Sequence, residues 1–178
     1  MFIHEMFQQK PCVFSVEVFP PKKAGAAEET LYPVLRELCT LGPDYISVTY
    51  GAGGGTAGQS TAKIASYIKN GLHVEALAHL TCVNSTRVQV EETLTRLRED
   101  NVENVLALRG DINPDLPRRM DFLHASDLAK AIAQTGGFGV AGACYPEGHV
   151  ESPSLKADVE SLRYKAEAGV SHLITQLF

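Results

Sequence analysis

The sequence predicts an α/β fold in which a parallel sheet is wrapped by helices. Two observations carry this. Short apolar runs rich in β-branched residues alternate with amphipathic stretches along all 178 residues, as βα units with doubly covered strands do. Glu17, Thr49, His79, Asp111, Tyr145 and Gln176 also stand near the C-terminal ends of these runs, 30–34 residues apart. Parallel α/β folds build their sites at that end. An open flavodoxin-like sheet is the alternative, but it would gather its chemistry at one switch point. Polar residues at the end of every strand suit a closed (β/α)8 TIM barrel better. At roughly 32 residues per unit, eight units need about 250 residues. The expectation is therefore one incomplete barrel domain over 1–178, truncated after about six strands, with its first and sixth strands left as open edges.

The strands are expected at 13–19 (VFSVEVF), 45–51 (YISVTYG), 75–83 (EALAHLTCV), 104–111 (NVLALRGD), 138–145 (FGVAGACY) and 172–178 (HLITQLF). Between them the helices are punctuated by caps and stops. Ser60 or Thr61 opens a helix through Asn70, stopped by Gly71, and Asn84 or Ser85 opens one toward Asn101. Ser126 opens a helix closed by Gly136 and Gly137, and Ser154 one closed by Gly169. Residues 27–40 are helical in pattern, with Pro33 expected to shorten or kink them. No linker or low-complexity stretch interrupts the series.

Composition removes several function classes. Sixteen basic against twenty-one acidic residues give a net charge of −5, the wrong sign for a general binder of nucleic acid or anionic membranes. No apolar run approaches the roughly 18 residues of a membrane span. MFIHEMFQQK does not have the layout of a signal peptide. Cys12, Cys39, Cys82 and Cys144 form no CxxC pair, which reads as free thiols in a cytoplasmic chain with no metal site. His79 and Cys82, three apart in a strand, should face opposite ways.

Glu17 is the most informative residue. Flanked by Val16 and Val18 in FSVEVFPP, it is expected to be buried. A buried carboxyl either finds a partner in a core salt bridge or holds its proton at raised pKa, as a general acid near neutral pH must. Gly51–Thr56 (GAGGGT) has the strand–loop–helix context of a phosphate cradle but not the G-x-G-x-x-G spacing, so a plain βα loop is an equal reading. Arg109-Gly110-Asp111 places a cation and an anion around a glycine, either to hold a ligand or as an internal Arg–Asp pair. Tyr145 and His149 in YPEGH could pack on a planar group. Asp158, Ser161 and Lys165 share one helix face, which is either solvated or part of a site.

In combination, FSVEVFPPK, YISVTYGAGG, ALAHLTCV, NVLALRGD, ASDL, YPEGH and ITQ resemble, in order and spacing, the methylenetetrahydrofolate reductase family over almost the whole chain. The resemblance implies a TIM barrel holding FAD. It implies hydride transfer from NADH or NADPH through FAD to 5,10-methylenetetrahydrofolate, giving 5-methyltetrahydrofolate for one-carbon metabolism and methionine biosynthesis. By the same resemblance Glu17 is the general acid that assists opening of the methylene bridge. Asp111 serves flavin tuning and folate binding, Thr49 touches the nicotinamide, and Gln176 touches folate or nicotinamide. FAD contacts fall to Tyr50, Ala52, His79, Arg109, Gly110, Asp111, His124, Ala125, Tyr145, His149, Asp158 and Lys165. The full-length form is expected to be a homo-oligomer.

The sequence departs from the family pattern at His124, where an aromatic is common, and at Ser161 and Tyr164, which replace more polar or basic residues. These changes are expected to alter FAD affinity before chemistry. Two other classes stay open at this point: an inactive, truncated flavin-binding domain, and a different flavin-dependent barrel oxidoreductase.

Overall fold

The computed structural model describes residues 1–23, 25–50, 57–112 and 119–178. Along the chain run α1 (Ile3–Gln9), β1 (Ser15–Val18), α2 (Ala27–Cys39), β2 (Tyr45–Val48), α3 (Ala57–Ser66) with a π-helical turn (Tyr67–Gly71) at its end, and β3 (Glu75–Thr81). There follow α4 (Arg87–Glu99), β4 (Asn104–Leu108), α5 (Ala125–Thr135), β5 (Gly139–Cys144), α6 (Leu155–Glu167) and β6 (His172–Thr175). All six strands are parallel and lie in sequence order, β1-β2-β3-β4-β5-β6.

That order decides between the two sheet architectures. A flavodoxin-like sheet reverses its strand order at a switch point and so places helices on both faces. A sequential order with right-handed crossovers stacks successive helices on one face. The cores agree. Val18, Ile46, Val48, Ala78, Leu80, Val105 and Val140 pack with residues of α2, α3, α4 and α5 in one large cluster. The alternate residues Tyr45, Leu77, Leu106 and Ala141 form a second, smaller core with Ile3 and Met6 of α1. The sheet is a curled half-barrel with helices outside and α1 plugging the inner face at the N-terminal ends of the strands.

The plug is fastened by Asn104, which is fully buried. Its side chain accepts from the Ile3 amide at 2.8 Å and donates to the Met1 carbonyl at 3.1 Å. Removing it strands the buried Ile3 N–H. Asn104→Ala is expected to cost about 2–3 kcal/mol, read as a lower urea midpoint at unchanged slope.

Element ends differ from the sequence expectation in ways that matter for the site. Every strand is at least two residues shorter than expected, and β3 stops at Thr81. Thr49, Asp111, Tyr145 and Gln176 therefore stand on the chain just past the strand ends. Thr86, not Asn84 or Ser85, caps α4: its hydroxyl accepts from the Gln89 amide at 3.2 Å while the Gln89 side chain accepts from the Thr86 amide at 2.9 Å. Ser126 lies inside α5, whose start is tied by Asp127 accepting from the Leu123 and His124 amides, both at 2.9 Å. α3 opens at Ala57, so Ser60 and Thr61 are internal, and the Thr61 hydroxyl reaches back to the Thr49 carbonyl at 2.9 Å. Ser154 caps α6 as expected, accepting from the Ala157 amide at 3.1 Å. Pro33 is carried inside α2 without ending it.

Candidate functional site

Three side chains meet on the inner face of the sheet, above the α1 plug. Register places Glu17 of β1 beside Ser47 of β2, and His79 of β3 shares their face. Ser47 Oγ lies 2.7 Å from His79 Nε2, and both residues are buried. Glu17 Oε2 lies 3.5 Å from the same nitrogen. Burial of His79 pushes its pKa down to about 4, so near neutral pH the imidazole is uncharged and the Glu17 contact is not an ion pair. Desolvation holds Glu17 above the usual carboxylate range, opposed by a hydrogen bond from Ser47 that favours the anion.

The expected burial of Glu17 is corrected: its side chain is 49% exposed. β1 is an outer strand of the six, and Glu17 points to the inner face, away from the outer helices, so flanking valines that pack on the outer side do not enclose it. Cys82, by contrast, faces the helix-side core, away from His79, as the spacing requires; burial lifts its thiol to about 11, so it is inert near neutral pH.

His79 has a consequence for acid stability. Its folded pKa lies below the usual 6.5, so between pH 6.5 and about 4 the unfolded chain binds more protons and stability falls as pH falls. The loss from this group alone is about 3 kcal/mol. Glu17 acts in the opposite sense, since its raised pKa favours the folded state on the acid side. Urea midpoints followed from pH 7 to 4 should fall in wild type and flatten in His79→Gln.

Beside this cluster an open groove of about 1530 Å³ runs along the C-terminal ends of β2–β5. Thr49, Tyr50, His79, Arg109, Gly110, Asp111, His124, Ala125, Tyr145, His149, Asp158 and Lys165 all border it. Glu17 and Gln176 do not. Gln176 is exposed beyond β6, where its amide donates to the Cys144 carbonyl at 2.8 Å. Ala52 and the loop 51–56 lie outside the described residues.

Each wall has a local cause. Gly110 holds φ +85°, and a Cβ there would lie 3.0 Å from the Thr81 side chain; glycine alone lets the chain turn off β4 against β3. Lys165 is drawn inward by donating to the Ala143 carbonyl at 2.5 Å, and burial lowers its pKa against the pull of Asp158. Asp158 is buried and accepts from the His149 amide at 3.2 Å, fixing the loop whose His149 ring stands edge-on to Tyr145 with centroids 4.7 Å apart. The solvated-face alternative for Asp158, Ser161 and Lys165 is thereby removed, since all three line the groove.

The Arg109–Asp111 pair is corrected. Arg109 instead makes two 2.7 Å contacts to Glu151, a residue no sequence motif singled out. The donor set suits a dinucleotide: a guanidinium fork for phosphate, a close-approach glycine, a lysine, and aromatic surface for a planar ring. The groove exceeds the roughly 300–1,000 Å³ of ordinary small-ligand pockets, so an extended cofactor such as FAD fits the residues present.

The family model for methylenetetrahydrofolate reductase matches residues 2–178. The chain belongs to that family. A 5,10-methylenetetrahydrofolate reductase of Pectobacterium carotovorum subsp. carotovorum is 38% identical over 92% of this chain and 54% of its own length. The enzyme so named from Escherichia coli is 35% identical over the same shares, 92% and 54%. A methylenetetrahydrofolate reductase (NADH) 1 of Arabidopsis thaliana is 35% identical over 99% of this chain and 32% of its own. The chain thus spans about half the length of the bacterial reductases it matches. Among solved structures, a 2,3-dimethylmalate lyase of the PEP mutase/isocitrate lyase superfamily superposes with TM-score 0.64 at 13% identity, over 99% of this chain and 63% of that one. That likeness is one of fold alone.

Proposed function

We propose that this reductase-family chain takes part in reducing 5,10-methylenetetrahydrofolate to 5-methyltetrahydrofolate, with NADH or NADPH as reductant and FAD in the groove. The observation that carries it is the Glu17–Ser47–His79 cluster beside a groove built for a dinucleotide. When bound, FAD supplies the hydride relay between nicotinamide and folate. The chain's own residues bind, orient and move protons around it.

In this reading Arg109 and Lys165 meet the cofactor's phosphates and polar chain. Gly110 admits it close to the backbone. Tyr50, His124, Ala125, Tyr145, His149 and Asp158 complete the walls, and Ala52 is assigned to the cofactor by the family resemblance alone. Asp111 tunes the flavin and holds folate. Thr49 touches the nicotinamide and Gln176 the substrate. Glu17 gives its proton to the methylene-bridge nitrogen as the bridge opens to the iminium. Ser47 makes that proton transferable: its single hydroxyl hydrogen turns to His79 Nε2 while Glu17 is protonated, and to the Glu17 carboxylate once the proton has gone. A neutral His79 allows both arrangements.

The domain over 1–178 supplies strands one to six of a (β/α)8 barrel in this reading, which two more βα units would close between β6 and β1. The sequential strand order and the packing of α2, α3, α4 and α5 on one face support that closure. The full-length protein acts in the cytoplasm as a homo-oligomer; no helix among the described residues is long and apolar enough to cross a membrane.

A second reading, a flavin-binding module without turnover, is favoured by Glu17 and Gln176 lying off the groove. Spectra separate the two. The purified protein should be yellow and bleach with NADH under anaerobic conditions. A yellow protein that never bleaches is the binding module, a protein that bleaches but ignores the folate is a different flavin oxidoreductase, and one that takes up no FAD defeats the proposal.

A further inference from the structure

The inner face of β6 carries a histidine that meets α1. His172 is the register partner of Ala141, and Ala141 packs with Ile3 and Met6 of the plug. From α1, the Phe7 ring lies 5.7 Å from the His172 ring between centroids, and Phe2 stacks on His4 at 5.5 Å. His172 Nε2 and His4 Nδ1 are both buried, and neither has a hydrogen-bond partner among the described residues. The tautomer of His172 follows from its neighbour. The Ser171 hydroxyl spends its hydrogen on the Val140 carbonyl at 3.0 Å. Its oxygen therefore accepts from His172 Nδ1 at 3.1 Å, which leaves Nε2 as a bare lone pair. A proton added there becomes a buried N–H without an acceptor, on a charged ring.

The charged groups around α1 are engaged elsewhere. Glu5 accepts from the Phe2 amide at 3.1 Å. Glu75 and Glu103 hold the Met1 ammonium at 3.2 and 2.9 Å, and Lys10 pairs with Asp44. The strands present Tyr45, Leu77, Leu106 and Ala141 to the plug, and none of these is charged below pH 7. Burial, and then the nearby His4, lower the His172 pKa.

We propose that His4 and His172 form a pH-operated latch, which keeps α1 seated while both rings are neutral and releases it from the inner face on acidification. Once released, the rings are hydrated and take protons near the usual pH of about 6.5. The released form therefore binds more protons than the seated one. The latch is fully closed above about pH 6.5 and weakens as pH falls below it. Release reaches the candidate site, because α1 covers Tyr45 and Leu77, which stand two residues before Ser47 and His79 on the same strand faces.

Amide hydrogen exchange at pH 7.5 and 5.5, corrected for intrinsic rates, decides the matter on wild type, His4→Gln/His172→Gln and His79→Gln. In wild type, α1 should be less protected than β3 and β4 at both pH values. Its protection should fall about three- to tenfold on acidification, the effect of one or two histidines that resist protonation while seated. That fall should disappear in His4→Gln/His172→Gln and persist in His79→Gln, since local release leaves His79 in place. Should the paired variant not fold, His4→Gln alone must reduce the fall. Protection of α1 equal to that of the strands would mean that the plug leaves only when the whole sheet unfolds, and would overturn the latch. So would a wild-type α1 insensitive to pH, a fall undiminished by the glutamines, or one that vanishes with His79.

Discussion

Glu17→Gln is expected to be reduced by NADH at close to the wild-type rate and to pass hydride to the folate about 10²–10⁴-fold more slowly, the usual contribution of a positioned acid. The amide keeps the shape of the carboxyl and can still accept from Ser47, so what it removes is the proton. The nicotinamide half-reaction needs no proton from this position. Stopped-flow absorbance separates the halves: bleaching by NADH under anaerobic conditions, then recovery of colour on adding folate. Equal loss in both halves would make Glu17 a structural or binding residue.

The pH dependence gives the same assignment a second handle. As the acid, Glu17 is active while protonated, so the folate step in wild type should decline as pH rises through its elevated pKa. Ser47→Ala removes the hydrogen bond that favours the carboxylate, which raises that pKa further. The falling limb should move to higher pH, while a purely structural Ser47 would change the rate without moving the limb.

The features visible in the sequence are those with a local cause. Strand positions follow from apolar runs, and the shared face of Glu17, Ser47 and His79 follows from two-residue alternation plus a regular βα repeat. The Ser154 cap follows from one hydroxyl before an amphipathic stretch. What escaped has a long-range cause. α1 is seven residues long and exists because Ile3 and Met6 find the inner face of the sheet and Asn104 finds its backbone, about a hundred residues away in sequence. The exposure of Glu17 depends on β1 being an outer strand, which its own valines do not report. The Arg109–Glu151 pair spans 42 residues. Its only sequence signal is that a cation at a strand end needs an anion somewhere, which leaves Asp111, Glu147 and Glu151 as rivals until the chain is folded. The α5 start shows the same limit: Ser126 has the right chemistry for a cap, but Asp127 one residue later reaches two amides from inside the helix and wins.

Gly110→Ala is expected to be the most damaging single-methyl change in the groove, costing about 2–5 kcal/mol of stability and loosening FAD. Two effects add. At φ +85° an alanine pays the left-handed penalty of about 1–2 kcal/mol. Its Cβ would also stand 3.0 Å from the Thr81 Cβ and 3.2 Å from the Val83 Cγ1, crowding of the kind that costs about 1–3 kcal/mol in a packed core. Neither neighbour yields easily, because the Val83 amide donates to the Arg109 carbonyl at 2.8 Å and Thr81 closes the β3–β4 pairing. The strain would be relieved by moving the Arg109–Asp111 segment, which carries the guanidinium fork. Gly42→Ala separates the two effects. That glycine has φ +68°, and a methyl group added there would meet nothing within 4 Å, so it should show the backbone penalty alone and leave FAD affinity as in wild type. Urea midpoints and FAD titration on both variants give the comparison: a larger stability loss and weaker FAD in Gly110→Ala assign the excess to contact with Thr81 and Val83. Equal losses with equal affinity would mean that the turn off β4 absorbs a methyl group, and that the close approach of the two chains does not fix the position of Arg109.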